Sequence, residues 1–124
     1  KKIEENYKKK KIDEIGDILK KIHPKMKHLK LREGNKSYTI NKKKITLCLK
    51  DKKGNYYDNN MLIYVGLHEL AHAICDEVGH TDKYWAIHDE LLKKAEELGY
   101  YDSKIPVVDD YCGINEENDN EKEN

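Results

Sequence analysis

The chain has no Phe, one Trp and two Pro in 124 residues, so an aromatic core has to be drawn from its nine Tyr. Each buried Tyr brings a hydroxyl that needs a partner, so such a core carries polar ties as well as apolar area. Arg is nearly absent, with Arg32 standing alone among 24 basic residues. That disfavours bidentate Arg–guanine reading, and any nucleic-acid contact would fall mostly on phosphates. The three Cys (Cys48, Cys75 and Cys112) are an odd number at wide spacing without a Cys-x-x-Cys pair. This argues against a disulfide framework or a cysteine-only zinc knuckle, and it sets the expectation of a reducing, intracellular compartment. No apolar run approaches the length of a membrane span and none reads as a signal peptide, so no membrane partner is expected. The chain opens on Lys1 rather than Met, which leaves targeting by preceding residues open.

Net charge is also absent, but the zero hides a split. Residues 1–53 carry 18 Lys and Arg32 against 7 acids, a balance of +12, and residues 54–124 balance it at −12. A basic front half is a hint of a polyanionic partner, here non-specific DNA, set against ordinary solvation of a Lys-rich composition. At this length one small domain with one core is expected, spanning residues 1–114, followed by an acidic disordered tail at 115–124.

Along the chain, residues 1–11 read as a Lys-rich lead-in. Ile12, Ile15, Ile18, Leu19 and Ile22 then recur at helical spacing, giving an amphipathic helix from about residue 4 to 22 that stops before His23-Pro24. Between residues 37 and 58 the period changes to two. Tyr38 and Ile40, then Ile45, Leu47 and Leu49, alternate with polar residues, which predicts a small antiparallel meander with one face open to solvent. Asp58-Asn59-Asn60 provides an N-cap for the next helix, and Gly79 sits where a left-handed C-terminal residue belongs. Thr81 caps a further helix whose apolar face is Trp85, His88, Leu91, Leu92, Ala95 and Leu98, ended by Gly99. The short apolar patches at 105–108 and 111–114 could lie back on the domain.

The chemistry is concentrated in His68-Glu69-Leu70-Ala71-His72. Residues four apart on a helix lie on one face, so His68 and His72 can hold a single metal ion, with Glu69 beside the first ligand. With 6 His and 13 Glu in 124 residues, chance gives this pattern about three times in a hundred. The competing reading is a core helix whose histidines are satisfied by hydrogen bonds, but burying two imidazoles and a carboxylate in an apolar helix is expensive. A catalytic zinc needs a third protein ligand and an open fourth position. His80 is the leading candidate, because Gly79 lets the chain reverse toward the helix. His88, Glu90 and Glu96 are its rivals, with Asp76 read as supporting or surface.

These residues resemble a known family. His68-Glu-Leu-Ala-His72, the later Gly79-His80 and the pair Tyr84-Trp85 look like the WLM and SprT-like zinc metallopeptidases. The lead-in from Tyr57 to Leu62 and the closing Asp110-Tyr111-Cys112-Gly113 look most like short versions encoded by large DNA viruses. The likeness runs from about residue 38 to 113. It implies an α+β, minimal zincin-like fold: a small antiparallel sheet on an active-site helix and a second helix, plus the N-terminal helix. It also implies Zn2+ held by His68, His72 and His80, with Glu69 as the catalytic glutamate. The best-known members digest proteins crosslinked to DNA, but no separate DNA-binding module is visible here.

The expected function is therefore a monomeric zinc endopeptidase. It would hydrolyse protein or peptide substrates through a zinc-bound water, with Glu69 as general base. Tyr84, His88, Tyr100 and Tyr111 are candidates to polarise the scissile carbonyl, and strand 45–49 is a candidate edge for an extended substrate. The alternative is a non-catalytic module that uses zinc as a staple and its basic half to hold nucleic acid or an acidic partner.

Overall fold

The computed structural model describes residues 2–108 and 111–113. Helix α1 (Lys2–Ile22) buries Ile12, Ile15, Leu19 and Ile22. Their 3-4-3 spacing puts them on one stripe. The helix begins earlier than its apolar stripe, taking in most of the Lys-rich lead-in. Contacts with a distant segment account for this: Tyr7 packs edge-on against Tyr56, Lys50 pairs with Glu4, and Lys11 donates to Asn59. After α1, His23 caps a 3₁₀ turn (Pro24–His28) by accepting from the Lys25 N–H through Nδ1.

Strands β1 (Lys30–Glu33), β2 (Tyr38–Ile40) and β3 (Lys44–Leu47) form one sheet in the order β1-β3-β2. β2 pairs antiparallel with β3 as the alternation predicts, but β1 pairs with β3 in parallel, so the sheet is mixed rather than antiparallel. β3 is therefore central, not an edge. Ile45 and Leu47 are fully buried, and Thr46 on the opposite face is buried as well, under the Arg32 side chain that donates to it at 3.0 Å. The face expected to be open is covered at this point. Asn41 and Lys42 both have positive φ, 54° and 56°, which is the twist a tight β2–β3 hairpin needs.

Helix α2 (Asn59–Ile74) starts at Asp58, whose carboxylate accepts from the Met61 N–H at 2.8 Å. It is buried on almost every side from Val65 to Ala73. α1 crosses it closely at Gly66, where an added Cβ would lie 3.1 Å from Leu19. The helix ends in extended backbone at Cys75, before Gly79 is reached. Gly79, at φ 87°, turns the following loop instead of capping the helix. Helix α3 (Asp82–Glu97) is capped by Thr81 and buries Tyr84, His88, Leu91 and Ala95. Leu98, expected on that face, is exposed.

The C-terminal segment departs furthest from expectation. Ile105, Val107 and Val108 are exposed, but Tyr111 returns to the core and Cys112 forms a disulfide with Cys48. This overturns the reading of a reducing, intracellular compartment, because a structural disulfide belongs to oxidising surroundings. Wide spacing in sequence was no obstacle: the fold brings the two Cα atoms to 6.5 Å across a separation of 64 residues. Cys75 stays free and buried. The acidic segment 115–124 lies outside the described residues. Among those described, no helix is long and apolar enough to cross a membrane.

Candidate metal centre

His68 and His72 project from one face of α2, one turn apart, and His80 comes back over them from the loop after Gly79. The three Nε2 atoms converge. His72 and His80 are 3.1 Å apart at Nε2, and His80 and His68 3.2 Å. Nitrogens bound tetrahedrally to zinc at 2.0–2.1 Å would lie about 3.3 Å from one another, so the donor set fits that ion in type and spacing. Three imidazole nitrogens turned on one point can each give a lone pair to a shared cation. His68 and His72 are buried and His80 is half-buried. The cluster is thus a potential metal site, suited to either enzymatic or structural use of zinc.

An aromatic wall fixes the imidazoles. Tyr84 stacks on His72 at 4.3 Å between ring centroids, and its hydroxyl donates to the His68 carbonyl at 2.7 Å. Trp85 lies 5.2 Å from the His80 ring. Lys42 Nζ donates to the His72 carbonyl at 2.7 Å, neutralising the C-terminal end of α2 near the cluster.

The rivals for third ligand are elsewhere. His88 packs edge-on against His68, with centroids 5.5 Å apart, but is not part of the converging set. Burial first, and then the neighbouring His68 and His80, push its pKa down to about 3, so it stays neutral. Its Nε2 has no hydrogen-bond partner among the described residues. Glu96 accepts from Ser103, Glu90 is exposed, and Asp76 pairs with Lys83 at the surface.

Glu69 is almost completely buried and also stands outside the converging set. Its Oε1 accepts from the Thr39 hydroxyl of β2 at 2.7 Å. Of the tyrosines singled out for carbonyl polarisation, Tyr84 is engaged as above, and Tyr100 lies under the Lys21 ammonium. Tyr111 donates to the Cys48 carbonyl, and burial raises its pKa. The residues that sequence reasoning missed are Thr39, Lys42 and Ser37, the last accepting from the Cys48 N–H. No local pattern marks them, because each acts on a segment at least 11 residues away.

Comparison with known proteins finds viral relatives. The chain is 58% identical over 90 residues to "uncharacterized protein 136R" of Invertebrate iridescent virus 6, covering 70% of this chain and 51% of that protein. It is 48% identical over 88 residues to "uncharacterized protein 042R" of Invertebrate iridescent virus 3, covering 70% and 55%. It is 40% identical over 82 residues to "uncharacterized protein R325" of Acanthamoeba polyphaga mimivirus, covering 63% and 42%. The chain spans about half the length of these relatives. No family model matches it, and no solved structure does.

Proposed function

We propose that this chain is a zinc metallopeptidase domain of the His-Glu-x-x-His type, with His68, His72 and His80 as ligands and Glu69 as general base. The observation that carries the proposal is the convergence of three imidazole Nε2 atoms at 3.1–3.2 Å while the adjacent carboxylate stays outside the set. A structural zinc is normally closed by four protein ligands, a catalytic one held by three. The described residues supply three.

Zinc held there would acidify a bound water and stabilise negative charge on a carbonyl oxygen. Glu69 would take the proton from the attacking water and deliver it to the leaving amine. Its burial keeps the carboxylate away from bulk water. β2, an edge of the sheet as ordered here, lies against α2 through Thr39, so it replaces strand 45–49 as the edge for an extended substrate. Backbone pairing there would make recognition tolerant of sequence.

The resemblance to WLM and SprT-like peptidases supports the same reading. It extends the proposal to DNA-associated protein substrates, with the Lys-rich residues 1–53 as a non-specific DNA contact and the chain acting as a monomer. A steep loss of DNA affinity with rising salt tests that extension. The metal assignment is tested by elemental analysis of wild type, His80→Ala and His88→Ala. One zinc per chain is expected in wild type and His88→Ala, with loss in His80→Ala; the reverse pattern contradicts the ligand set.

A further inference from the structure

We propose that Thr39 is a positioning residue for Glu69, holding its carboxylate in one orientation beside the histidine cluster. This rests on the peptidase reading above. Both side chains are buried, Thr39 to 2% exposure and Glu69 to 1%. The Thr39 hydroxyl has one proton and faces two acceptors: Glu69 Oε1 at 2.7 Å and the Glu69 backbone carbonyl at 3.0 Å. The backbone carbonyl already belongs to the α2 hydrogen-bond ladder, so the shorter contact, to the carboxylate, takes the proton. Thr39 therefore lies against the Glu69 backbone while its hydroxyl holds the carboxylate, which limits rotation of the side chain between them.

Thr39 is itself held. Its register partner on β3 is Ile45, so the two share the sheet face turned to α2. On one side of Thr39, Ser37 accepts from the Cys48 N–H at 2.9 Å and meets the Tyr111 hydroxyl at 2.7 Å. Since Tyr111 donates to the Cys48 carbonyl, the Ser37 hydroxyl is left to donate to Tyr111. On the other side, Lys42 reaches the His72 carbonyl at 2.7 Å. β2 is thus pinned to β3 and the C-terminal segment at one end and to α2 at the other. Thr39 lies between these pins, opposite the buried carboxylate of Glu69. A threonine that only filled space in a strand would need no such aim.

The test has a part that does not depend on activity. In zinc-free protein, a double-mutant cycle combines Thr39→Val with Glu69→Leu and follows unfolding in urea. The pairing predicts a coupling worth about tenfold or more in the unfolding constant. In zinc-loaded protein, cleavage of fluorescein-labelled unfolded casein is measured for wild type, Thr39→Val and Thr39→Ser. Thr39→Val is expected to lose about ten- to a hundredfold in kcat, with KM and zinc content unchanged, because a displaced reacting group costs rate rather than binding. Thr39→Ser, which keeps the hydroxyl, should recover most of the rate.

Absence of coupling overturns the proposal, and so does a Thr39→Val variant that cleaves at the wild-type rate or a Thr39→Ser variant as impaired as valine. If coupling is present but zinc-loaded wild type cleaves nothing, the peptidase reading falls. The positioning role falls with it, and the Thr39–Glu69 bond stands as a structural tie alone.

Discussion

Removing the Cys48–Cys112 disulfide should cost the fold about 4 kcal/mol. The crosslink closes a loop across a separation of 64 residues, more than half of the chain. In the chain-entropy model a loop of that size restricts the unfolded state by about 14 cal/mol/K, or about 4 kcal/mol at room temperature. Little of that is recovered elsewhere. The segment stays tied in the folded state by the buried Tyr111 hydroxyl, and by the Cys112 N–H donating to Tyr57 at 2.8 Å. The loss is therefore felt mainly through the gain in unfolded-state freedom. Against the roughly 5–15 kcal/mol by which a domain is stable, this is a large share. It corresponds to a fall in Tm of about 15 °C for a chain of this size. The assay is urea unfolding of the oxidised protein against Cys48→Ser/Cys112→Ser, with alkylation under non-reducing conditions to count thiols. Equal stability would refute the magnitude. Alkylation of all three cysteines in protein purified without reductant would refute the crosslink itself.

Acid should destabilise the metal-free protein through His88. Burial holds its folded pKa at about 3, below an unfolded value of about 6.5. Between these values the unfolded chain binds more protons, so stability is full above about pH 6.5 and falls by up to about 1.4 kcal/mol per pH unit as pH drops. His88→Leu should remove about one proton from that slope in urea titrations across this range. Asp58→Ala deletes the α2 cap and should cost about 1 kcal/mol in the same assay, with the site otherwise intact. Gly79→Ala places a Cβ on backbone at φ 87°. It should cost about 1–2 kcal/mol and weaken zinc binding in a competition titration, because His80 follows directly.

Much of the fold was legible because its signals are local. Ile12, Ile15, Leu19 and Ile22 mark one helix stripe, and Asp58 and Thr81 are caps that act within three residues. The candidate site was legible for the same reason, since a four-residue spacing on a helix and one glycine suffice to bring three imidazoles together. What escaped is non-local. β1 has a single apolar residue, Leu31, at its centre, and its parallel pairing to β3 is set by tertiary packing instead of alternation. That pairing makes β3 central and moves the edge to β2. The Thr39–Glu69 contact joins residues 30 apart, and the disulfide joins residues 64 apart. Neither spacing has a period that a reader of sequence could recognise. Gly79 shows the intermediate case: its positive φ was legible, but α2 had already ended at Cys75.

In the proposed peptidase, Glu69 moves the proton in a zinc-dependent hydrolysis. The most direct measurement is the cleavage rate of unfolded casein by zinc-loaded Glu69→Gln, with zinc content determined on the same sample. Glutamine keeps the shape and an oxygen for Thr39 but cannot take a proton. One zinc per chain with cleavage reduced by about a hundredfold or more is the predicted result. Wild-type cleavage by a variant that retains its zinc would contradict it.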